Sequence, residues 1–347
     1  MSEEVTVTAA ANAVDDATLR ERRARLDAIL RECGSVVIGY SGGVDSVFLA
    51  KAALDVLGAD RVLAVTGRSE SYPQIQRDVA IECSEEFGIP HLEIHTDELN
   101  DPNYASNPTN RCYFCKTELW SQLRRVADER GYAEVLDGSN ADDAHDYRPG
   151  LNAAREHAVR SPLLEAGLTK QDIRTLSREL GLPTWDQPAA PCLSSRLPYG
   201  LAVTVARLRE VEAAEAAVRA LGFRDFRVRH HGNAARLELP AAELPNAIER
   251  ARALTDAVAG AGFERVLLDV EGYRRGALNE GLVQLERAAQ SSHEEATTEP
   301  PADVAGHEQE IAILHAGEDF TALARRAAAL RHHGYRYAAV DLARLVP

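Results

Sequence analysis

An apolar strand followed at once by a glycine-rich turn and a helix most constrains the fold of this chain. Val36-Val37-Ile38 has the composition of a strand buried on both faces, and Tyr40-Ser41-Gly42-Gly43-Val44-Asp45-Ser46 follows it directly. A helix is predicted from Asp45 to about Leu57. Two glycines allow a tight turn that brings backbone N–H groups close to an anion, and the helix directs the positive end of its dipole there. The pattern predicts a phosphate-binding loop.

The side chains of this loop extend the prediction. Ser41 and Ser46 add hydroxyl donors, Gly42 and Gly43 expose their backbone, and Asp45 is expected to face the phosphates. Because no lysine follows the glycines, this is not a Walker loop. A strand–helix turn with glycines for packing is the plainer alternative. Ser-Gly-Gly-Val-Asp-Ser after an apolar strand is more specific, and it resembles the pyrophosphate-binding (PP) loop of the ATP pyrophosphatase superfamily. That resemblance implies ATP with Mg²⁺ and cleavage between the α and β phosphates.

The order of elements predicts an α/β fold built on a parallel sheet. Apolar strands at 62–65, 91–95 and 133–136 alternate with helices, one of them near 74–87. Such sheets bind ligands at the carboxyl ends of their strands. The segment 136–143 ends one strand in a polar loop, as in the superfamily. We interpret its Asn140 and Asp143 as directed at the nucleotide or Mg²⁺, with a plain turn as the alternative.

The order of predicted strands and helices changes beyond Pro198, where a smaller α+β domain is predicted. It consists of a helix at 204–221, strands at 226–230 and 235–239, a helix at 241–261 and a strand at 265–270. Residues 311–345 resemble a strand, a helix and another strand, too few to hold a core alone. The predicted divisions are a PP-loop ATP-binding domain at 14–190, an α+β substrate and sulfur-transfer domain at 191–285, a linker at 286–310 and a small C-terminal extension at 311–347.

Composition excludes several classes of protein. The chain has 347 residues and a net charge of −15, from 54 acidic residues against 39 Lys plus Arg, and this field disfavours nucleic acid as a partner. Its apolar runs are too short to cross a membrane, and its N-terminus lacks a signal-peptide pattern. Five cysteines do not suggest a disulfide framework in a chain of this length. We therefore expect a cytoplasmic protein whose clustered thiols are ligands or reagents.

Three of the cysteines are candidates for chemistry. Cys112 and Cys115 form a C-x-x-C pair, which by itself fits a redox pair, a zinc half-site or an iron–sulfur half-site. Cys192 lies in Pro-Cys-Leu-Ser-Ser-Arg-Leu-Pro. Cys33 and Cys83 fall on apolar helix faces, so we interpret them as inert core thiols.

Several separate motifs together resemble the LarE family. They are Asn107–Lys116 (Asn-Pro-Thr-Asn-Arg-Cys-Tyr-Phe-Cys-Lys), 136–143, 191–200 and 268–274, and the match runs from about residue 14 to 285. The resemblance implies an ATP-dependent sulfur transferase of nickel-pincer nucleotide cofactor biosynthesis. Such enzymes adenylate the carboxylates of pyridinium-3,5-biscarboxylate mononucleotide and convert them to thiocarboxylates.

The resemblance leaves two sources of sulfur open. In one branch of the family the residue corresponding to Cys192 gives up its own sulfur, and that branch lacks the C-x-x-C pair. Other members keep all three thiols, as this chain does, and the resemblance then implies a [4Fe–4S] cluster on Cys112, Cys115 and Cys192. Three thiolates leave one cluster iron open, which suits a sulfur carrier. We favour the cluster over a sacrificial Cys192, and zinc is the other metal to consider.

Basic residues of the second domain are candidates for binding an anionic substrate. Arg227 and Arg229 alternate along a predicted strand and would project together as a clamp for a phosphate or carboxylate. Solvated arginines on an exposed strand face are the alternative. Arg196 shares a loop with Cys192, which makes it the better candidate. Glu215 resembles an acid that the family places near the site, although a solvated helix acid fits almost as well.

Other functions share some of these features. A PP-loop tRNA thiolation enzyme has the same loop and thiols, but this chain is acidic and shows no long basic stripe. An amidotransferase-type synthetase would not need the thiols, and a regulator that senses ATP would not turn it over. We expect a small-molecule substrate, no membrane partner and a homo-oligomer, whereas the sulfur donor is not identified by the sequence.

Overall fold

The computed structural model describes residues 3–145, 149–188, 190–274, 304–308, 310–315, 320–331 and 335–345. The chain forms two compact units. The first consists of Met1–Ala105 with Asn110–Pro191, and the second of Ser106–Thr109 with Cys192–Pro347. Within the described residues, no helix combines the length and apolar character needed to cross a bilayer.

The first unit contains a five-stranded, fully parallel sheet, which confirms the predicted α/β class. Its strands are β1 (Val36–Gly39), β2 (Val62–Arg68), β3 (His91–His95), β4 (Glu134–Leu136) and β5 (Val159–Arg160), in the spatial order β3-β2-β1-β4-β5. The two-residue strand β5 was not predicted, because it is too short to show a periodic pattern.

Helices cover this sheet. They are α1 (Glu3–Cys33), α2 (Val44–Leu57), α3 (Gln74–Glu86), α4 (Pro102–Ala105), α5 (Arg111–Arg130), α6 (Pro149–Glu156), α7 (Pro162–Glu165) and α8 (Lys170–Glu179). Val36 and Ile38 pack into one apolar cluster with residues of α1 and α2, whereas Val37 packs into another with residues of α5. Both faces of β1 are therefore buried, which explains its continuous apolar sequence.

The topology determines where the loops of the first unit meet. Strands β1 and β4 are parallel neighbours, paired through Val36 and Glu134, Val37 and Val135, and Ile38 and Leu136. The loops that follow the two strands therefore leave the same edge of the sheet, at its carboxyl end.

The second unit contains a mixed six-stranded sheet in the order β6-β7-β8-β11-β10-β9. Its strands are β6 (Arg227–His231), β7 (Ala234–Glu238), β8 (Arg265–Asp269), β9 (Val304–Glu308), β10 (Ile311–Leu314) and β11 (Tyr337–Asp341); its helices are α9 (Val205–Ala220), α10 (Leu244–Glu249), α11 (Ala251–Ala259) and α12 (Phe320–Leu330). The helix expected over 241–261 is divided in two, because Arg250 leaves the helical conformation at φ −106° and ψ 19°.

Residues near the C-terminus belong to this same sheet. Strand β11 pairs antiparallel with β8 and parallel with β10. Strand β9 falls within the segment expected to be a linker at 286–310, of which 286–303 and 309 lie outside the described residues. The segment expected to be a small extension at 311–347 therefore continues the sheet of the second unit, which answers the difficulty that it is too short for its own core.

Candidate active site

The loop Tyr40–Ser46 connects β1 to α2, and Gly42 sets its shape. Gly42 has φ +66°, in the left-handed region. A Cβ placed there would lie 2.8 Å from the carbonyl oxygen of Gln76 and 3.0 Å from the Cβ of Ala80. Position 42 is therefore restricted to glycine both by its backbone and by the close approach of α3.

Gly43 has a different role, because its backbone is extended (φ −79°, ψ 160°) and accessible to any residue. A Cβ at this position would make an ordinary contact, 3.5 Å from Ser41 Oγ. Gly43 is the N-cap of α2, and no side chain caps the helix there. The missing side chain therefore leaves space in front of the first N–H groups of α2, where an anion is stabilised.

The two serines of the loop are close together but oriented differently. Their hydroxyl oxygens are 3.2 Å apart. Buried Ser46 donates its hydroxyl to the Gly43 carbonyl at 3.0 Å and accepts the Ser41 N–H at 3.2 Å, so it holds the turn closed. Ser41 is exposed. Of the two predicted phosphate donors, Ser41 is the one at the surface of the loop.

The loop after β4 lies against the start of α2. A Cβ on Gly138 would be 3.3 Å from both Asp45 Cβ and the backbone nitrogen of Ser46, a tight contact, so the missing side chain eases this approach. The side-chain amide of Asn140 is 3.5 Å from Asp45 Oδ1. Asp143 is buried, and its carboxylate accepts the N–H of Asn140 at 3.1 Å. Asn140 therefore reaches the phosphate loop, whereas Asp143 shapes the turn that presents Asn140.

Lys170 is a residue of this region that sequence reasoning missed. Its Nζ donates to Asp45 Oδ2 at 2.6 Å, and its backbone N–H donates to Asp142 Oδ2 at 2.9 Å. Lys170 is the first residue of α8, directly after the N-cap Thr169. A lysine in the first turn of a helix is unfavourable beside the positive end of the helix dipole. Its position directly after a predicted N-cap was therefore the sequence signal that could have identified Lys170 as a candidate site residue.

The C-x-x-C pair lies in the first turns of α5. Cys112 is exposed and Cys115 is partly exposed, one helical turn apart, so the two thiols project from one side of the helix. That arrangement suits adjacent ligands of one metal centre. Among the described residues, no group of three or more His, Cys, Asp or Glu side chains is placed to hold a metal ion. The structure therefore contains a matched pair of thiols on α5.

Cys33 and Cys83, the two thiols expected to be inert, are buried. Burial raises the pKa of the Cys83 thiol to about 11 and also raises the pKa of the Cys33 thiol. Both are therefore held in the unreactive thiol form.

In the second unit, Cys192 precedes a short 3-10 helix (Leu193–Arg196), which brings two side chains back to it. The Cys192 carbonyl accepts the Ser195 hydroxyl at 2.7 Å and Nη1 of Arg196 at 3.3 Å. Nη1 of Arg196 also donates to Ser195 Oγ at 3.0 Å. The Cys192 segment is thus held in a fixed backbone conformation by its own neighbours.

Glu215 holds Arg196 in place. Nε and Nη2 of Arg196 donate to the two carboxylate oxygens of Glu215 at 2.8 and 3.0 Å, and both residues are buried. Glu215 Oε1 also accepts the N–H of Val228 in β6, at 3.2 Å. The alternative of a solvated helix acid is therefore wrong, because α9 directs Glu215 into the interior of the unit.

Arg227 and Arg229 are both buried, so the alternative of solvated arginines is also wrong. Their environments differ. Arg229 donates Nε and Nη2 to Glu238 Oε2 at 2.9 and 2.7 Å, and Nη1 to the Ser195 carbonyl at 2.8 Å. Arg227 lies over the ring of Tyr273, 5.1 Å from its centre. Burial, followed by the nearby charge of Arg196, lowers the pKa of the Arg227 guanidinium.

These contacts change the expected clamp. Arg229 is committed to Glu238 and to the Cys192 segment, so it supports the site. Arg227 lies near Arg196, and the carboxylate of Glu215 balances the charge of Arg196.

Comparison with known proteins agrees with this geometry. The family model of NAD synthase matches residues 19–124. A pyridinium-3,5-bisthiocarboxylic acid mononucleotide synthase of Lactiplantibacillus plantarum is 39% identical over 272 residues, 78% of this chain and 99% of the relative. An uncharacterized protein of Synechocystis sp. is 45% identical over 255 residues, 73% of this chain and 95% of the relative. A tRNA 2-thiolation protein of Haloferax volcanii is 35% identical over 118 residues, 31% of this chain and 37% of the relative.

A parallel sheet with Ser-Gly-Gly-Val-Asp-Ser at the end of β1 defines an ATP-using enzyme of the PP-loop superfamily. Within that superfamily, the similarity to the Lactiplantibacillus plantarum synthase covers 78% of this chain, whereas the similarity to the tRNA 2-thiolation protein covers 31%. The chain belongs to the LarE family of ATP-dependent sulfur transferases.

Proposed function

We propose that this enzyme adenylates the carboxylates of pyridinium-3,5-biscarboxylate mononucleotide and converts them to thiocarboxylates. Its Lactiplantibacillus plantarum relative is named a pyridinium-3,5-bisthiocarboxylic acid mononucleotide synthase. The observation that carries the proposal is the linkage of the cationic residues to Cys192. Arg196 donates to the Cys192 carbonyl and Arg229 to the Ser195 carbonyl. A site for an anionic substrate and a candidate sulfur-bearing residue thus share one short segment.

The first step forms an acyl-adenylate. A substrate carboxylate oxygen attacks the α-phosphorus of ATP, an O–P bond forms, and the bond to the β-phosphate oxygen breaks to release pyrophosphate. The open N–H groups at Gly43 and the Ser41 hydroxyl stabilise the charge on the departing pyrophosphate. Mg²⁺ accompanies ATP in this superfamily. Catalysis in this step is mainly positioning and electrostatics.

The second step exchanges oxygen for sulfur. The incoming sulfur attacks the acyl carbon, a C–S bond forms, and the C–O bond to AMP breaks. Arg227 and Arg196 are our candidates to bind the substrate phosphate or its second carboxylate, because a guanidinium donates charge-assisted hydrogen bonds to either group. Glu215 sets the position of Arg196 and acts through it.

We propose that Cys112, Cys115 and Cys192 are the thiolate ligands of a [4Fe–4S] cluster. The one-turn spacing and exposure of Cys112 and Cys115 support the pair as adjacent ligands. When bound, the cluster would supply inorganic sulfide as the incoming sulfur. In the competing scheme the sulfur is that of Cys192 itself, which ends as dehydroalanine.

The experiment uses full-length protein purified without oxygen and supplied with Mg²⁺ and ATP. Pyrophosphate release should depend on the pyridinium biscarboxylate mononucleotide, and mass spectrometry should detect the thiocarboxylate. Unfractionated tRNA is the matched alternative substrate. Pyrophosphate release that follows tRNA and ignores the mononucleotide would overturn the proposed substrate.

The source of sulfur is tested separately with single Cys→Ser variants. If the cluster is correct, loss of any one of Cys112, Cys115 and Cys192 abolishes the charge-transfer absorption near ~400 nm. If Cys192 is sacrificed, only Cys192→Ser is inactive, and spent protein is lighter by about one H₂S. Iron-free protein that remains active without Cys112 and Cys115 would contradict the cluster.

A further inference from the structure

A row of buried charges runs through the sheet of the second unit, behind the Cys192 segment. Arg229 shares Glu238 with Arg236, whose Nη2 lies 2.9 Å from Glu238 Oε1. Arg236 also donates to Asp269. Burial alone would raise the pKa of the Glu238 carboxyl, but the charges of Arg236 and Arg229 lower it. Glu238 is therefore ionised and binds both arginines.

Arg236 is the central residue of this row, and each part of its guanidinium has a defined neighbour. It is 2% exposed. Besides its two carboxylates, its Nε donates to His231 Nε2 at 3.3 Å. One face of the guanidinium lies over the ring of Tyr337, only 3.7 Å from the ring centre. A buried arginine keeps one orientation only when its donors and faces are all occupied.

Tyr337 is contributed by β11 and belongs to the segment 311–347, which we call the C-terminal segment. The alignment with the Lactiplantibacillus plantarum synthase covers 99% of that protein but 78% of this chain, so about a fifth of this chain has no counterpart there. The resemblance to the family was expected to end at about residue 285. Tyr337 lies beyond that residue, yet it is buried in an apolar cluster with Leu267 of the adjacent strand β8 and Ala234 of β7.

A second contact connects the same segment to the row of charges. Asp269 accepts the backbone N–H groups of Glu271 and Gly272 at 2.8 and 3.0 Å. The carboxylate of Glu271 in turn lies 2.5 and 2.7 Å from Nη2 of Arg331, which follows α12. The C-terminal segment thus supports both sides of Arg236.

We propose that the C-terminal segment is a positioning element of the site, and that the ring of Tyr337 acts on the Cys192 segment through Arg236, Glu238 and Arg229. The last link is the bond from Arg229 to the Ser195 carbonyl. Without the ring, Arg236 gains an open face and a choice of orientations, Glu238 shifts with it, and Arg229 no longer holds Ser195 in one place. The consequence for sulfur transfer rests on the proposed function, whereas the positioning does not.

The test compares Tyr337→Leu with Tyr337→Phe in the full-length chain. The Tyr337 hydroxyl has no hydrogen-bond partner among the described residues, so Phe keeps the aromatic ring that Arg236 contacts. Hydrogen exchange is measured by mass spectrometry. In the Leu variant the 192–197 peptide should exchange at least about three times faster than in the parent protein, and in the Phe variant it should exchange at the parent rate. Peptides of α11, in the same unit, are the internal reference, because a general loss of stability of that unit would raise their exchange as well.

Three results would overturn the proposal. Equal exchange of the 192–197 peptide in the two variants would do so. A rise of the same size in the exchange of the α11 peptides of the Leu variant would do so too, because it would show a general loss of stability of the unit. If Tyr337→Leu does not fold, Arg331→Gln replaces it, because Arg331 is partly exposed and its loss should spare folding. Unchanged exchange of the 192–197 peptide in that variant would equally contradict the proposal. Because exchange is measured without substrate, its outcome is independent of whether the proposed reaction is correct.

Discussion

The ammonium of Lys170 lies 2.6 Å from Asp45 Oδ2, although the two residues are 125 positions apart in the chain. Asp45 lies in the first turn of α2, beside the N–H groups that are expected to bind phosphate. A lysine held next to those groups is available to neutralise negative charge that develops on a departing pyrophosphate. In the structure, Asp45 serves to keep that lysine in place.

We therefore expect Lys170→Met to lower the rate of substrate-dependent pyrophosphate release by about tenfold or more, a loss of ~1.4 kcal/mol of transition-state stabilisation. Stability should change by less than about 1 kcal/mol, because both side chains are partly exposed. Pyrophosphate assays and urea unfolding measure the two effects. Lys51→Met, which removes the Lys51–Asp55 pair on α2, is the matched control and should leave the rate unchanged. A fully active Lys170→Met enzyme would contradict this role.

The two glycines of the phosphate loop should respond differently to substitution. Gly43→Val has an allowed backbone and an open approach, so the protein should fold but fail to release pyrophosphate, because the side chain fills the phosphate space. Gly42→Ala should instead lower the free energy of unfolding by about 2 kcal/mol or more, from the left-handed backbone and the clash with Gln76. Isothermal titration with ATP and urea unfolding distinguish the two. Normal ATP turnover by Gly43→Val would show that the loop binds no phosphate.

The two arginines of β6 should also separate into a binding residue and a supporting residue. Arg227→Gln should weaken binding of the pyridinium mononucleotide by about 1.5–3 kcal/mol, as expected for a lost hydrogen bond to a charged group, and leave ATP binding unchanged. Exposed Arg224, three residues earlier, gives the control Arg224→Gln. Equal losses for the two ligands would exclude Arg227 from substrate binding.

Arg229→Gln should act mainly on the fold, because it leaves Glu238 with one fewer partner. Removing one member of a buried ion pair costs about 3–5 kcal/mol. Urea unfolding should detect this loss, whereas the same measurement on Arg227→Gln should show a smaller one. An Arg229→Gln protein as stable as the parent would show that the Arg229–Glu238 bonds do not support the fold.

Stability should fall on mild acidification, because of His231. Burial, followed by the charge of Arg236, lowers the pKa of His231 well below its usual value, so the folded protein keeps this imidazole neutral. The unfolded chain takes up a proton below about pH 6.5, so stability is lost as pH falls, by up to ~1.4 kcal/mol per pH unit. The loss stops only at the lower pKa of the folded state.

Urea unfolding at about pH 7.5, 6.5 and 5.5 measures this dependence. His231→Gln should flatten it, since Gln does not titrate but still offers an acceptor to Arg236. A residual slope is expected from His230, whose pKa burial also lowers. His95→Gln, at an exposed histidine, is the control and should change nothing. Identical slopes for the parent and His231→Gln would contradict the assignment.

Local patterns in the sequence determined much of this protein. The apolar run of β1 and the glycines after it predict a parallel sheet and a phosphate loop, because burial on both faces and a tight turn are properties of adjacent residues. The three candidate thiols were identified in the same way, since residue type and spacing carry that chemistry. The second domain was also predicted from its periodicity, down to the strand that holds Arg227 and Arg229.

The partners of the charged residues were decided only by the tertiary structure. The sequence did not predict that Lys170 meets Asp45, that Glu215 holds Arg196, or that Arg229 is committed to Glu238. Such pairs depend on which strands and helices become neighbours, and the hydrophobic periodicity of a segment does not predict its tertiary neighbours. The C-terminal segment makes the same point: its own elements were predictable, but its place beside β8 was not, because strand pairing between distant segments is fixed by the burial of the whole sheet and not by any local signal.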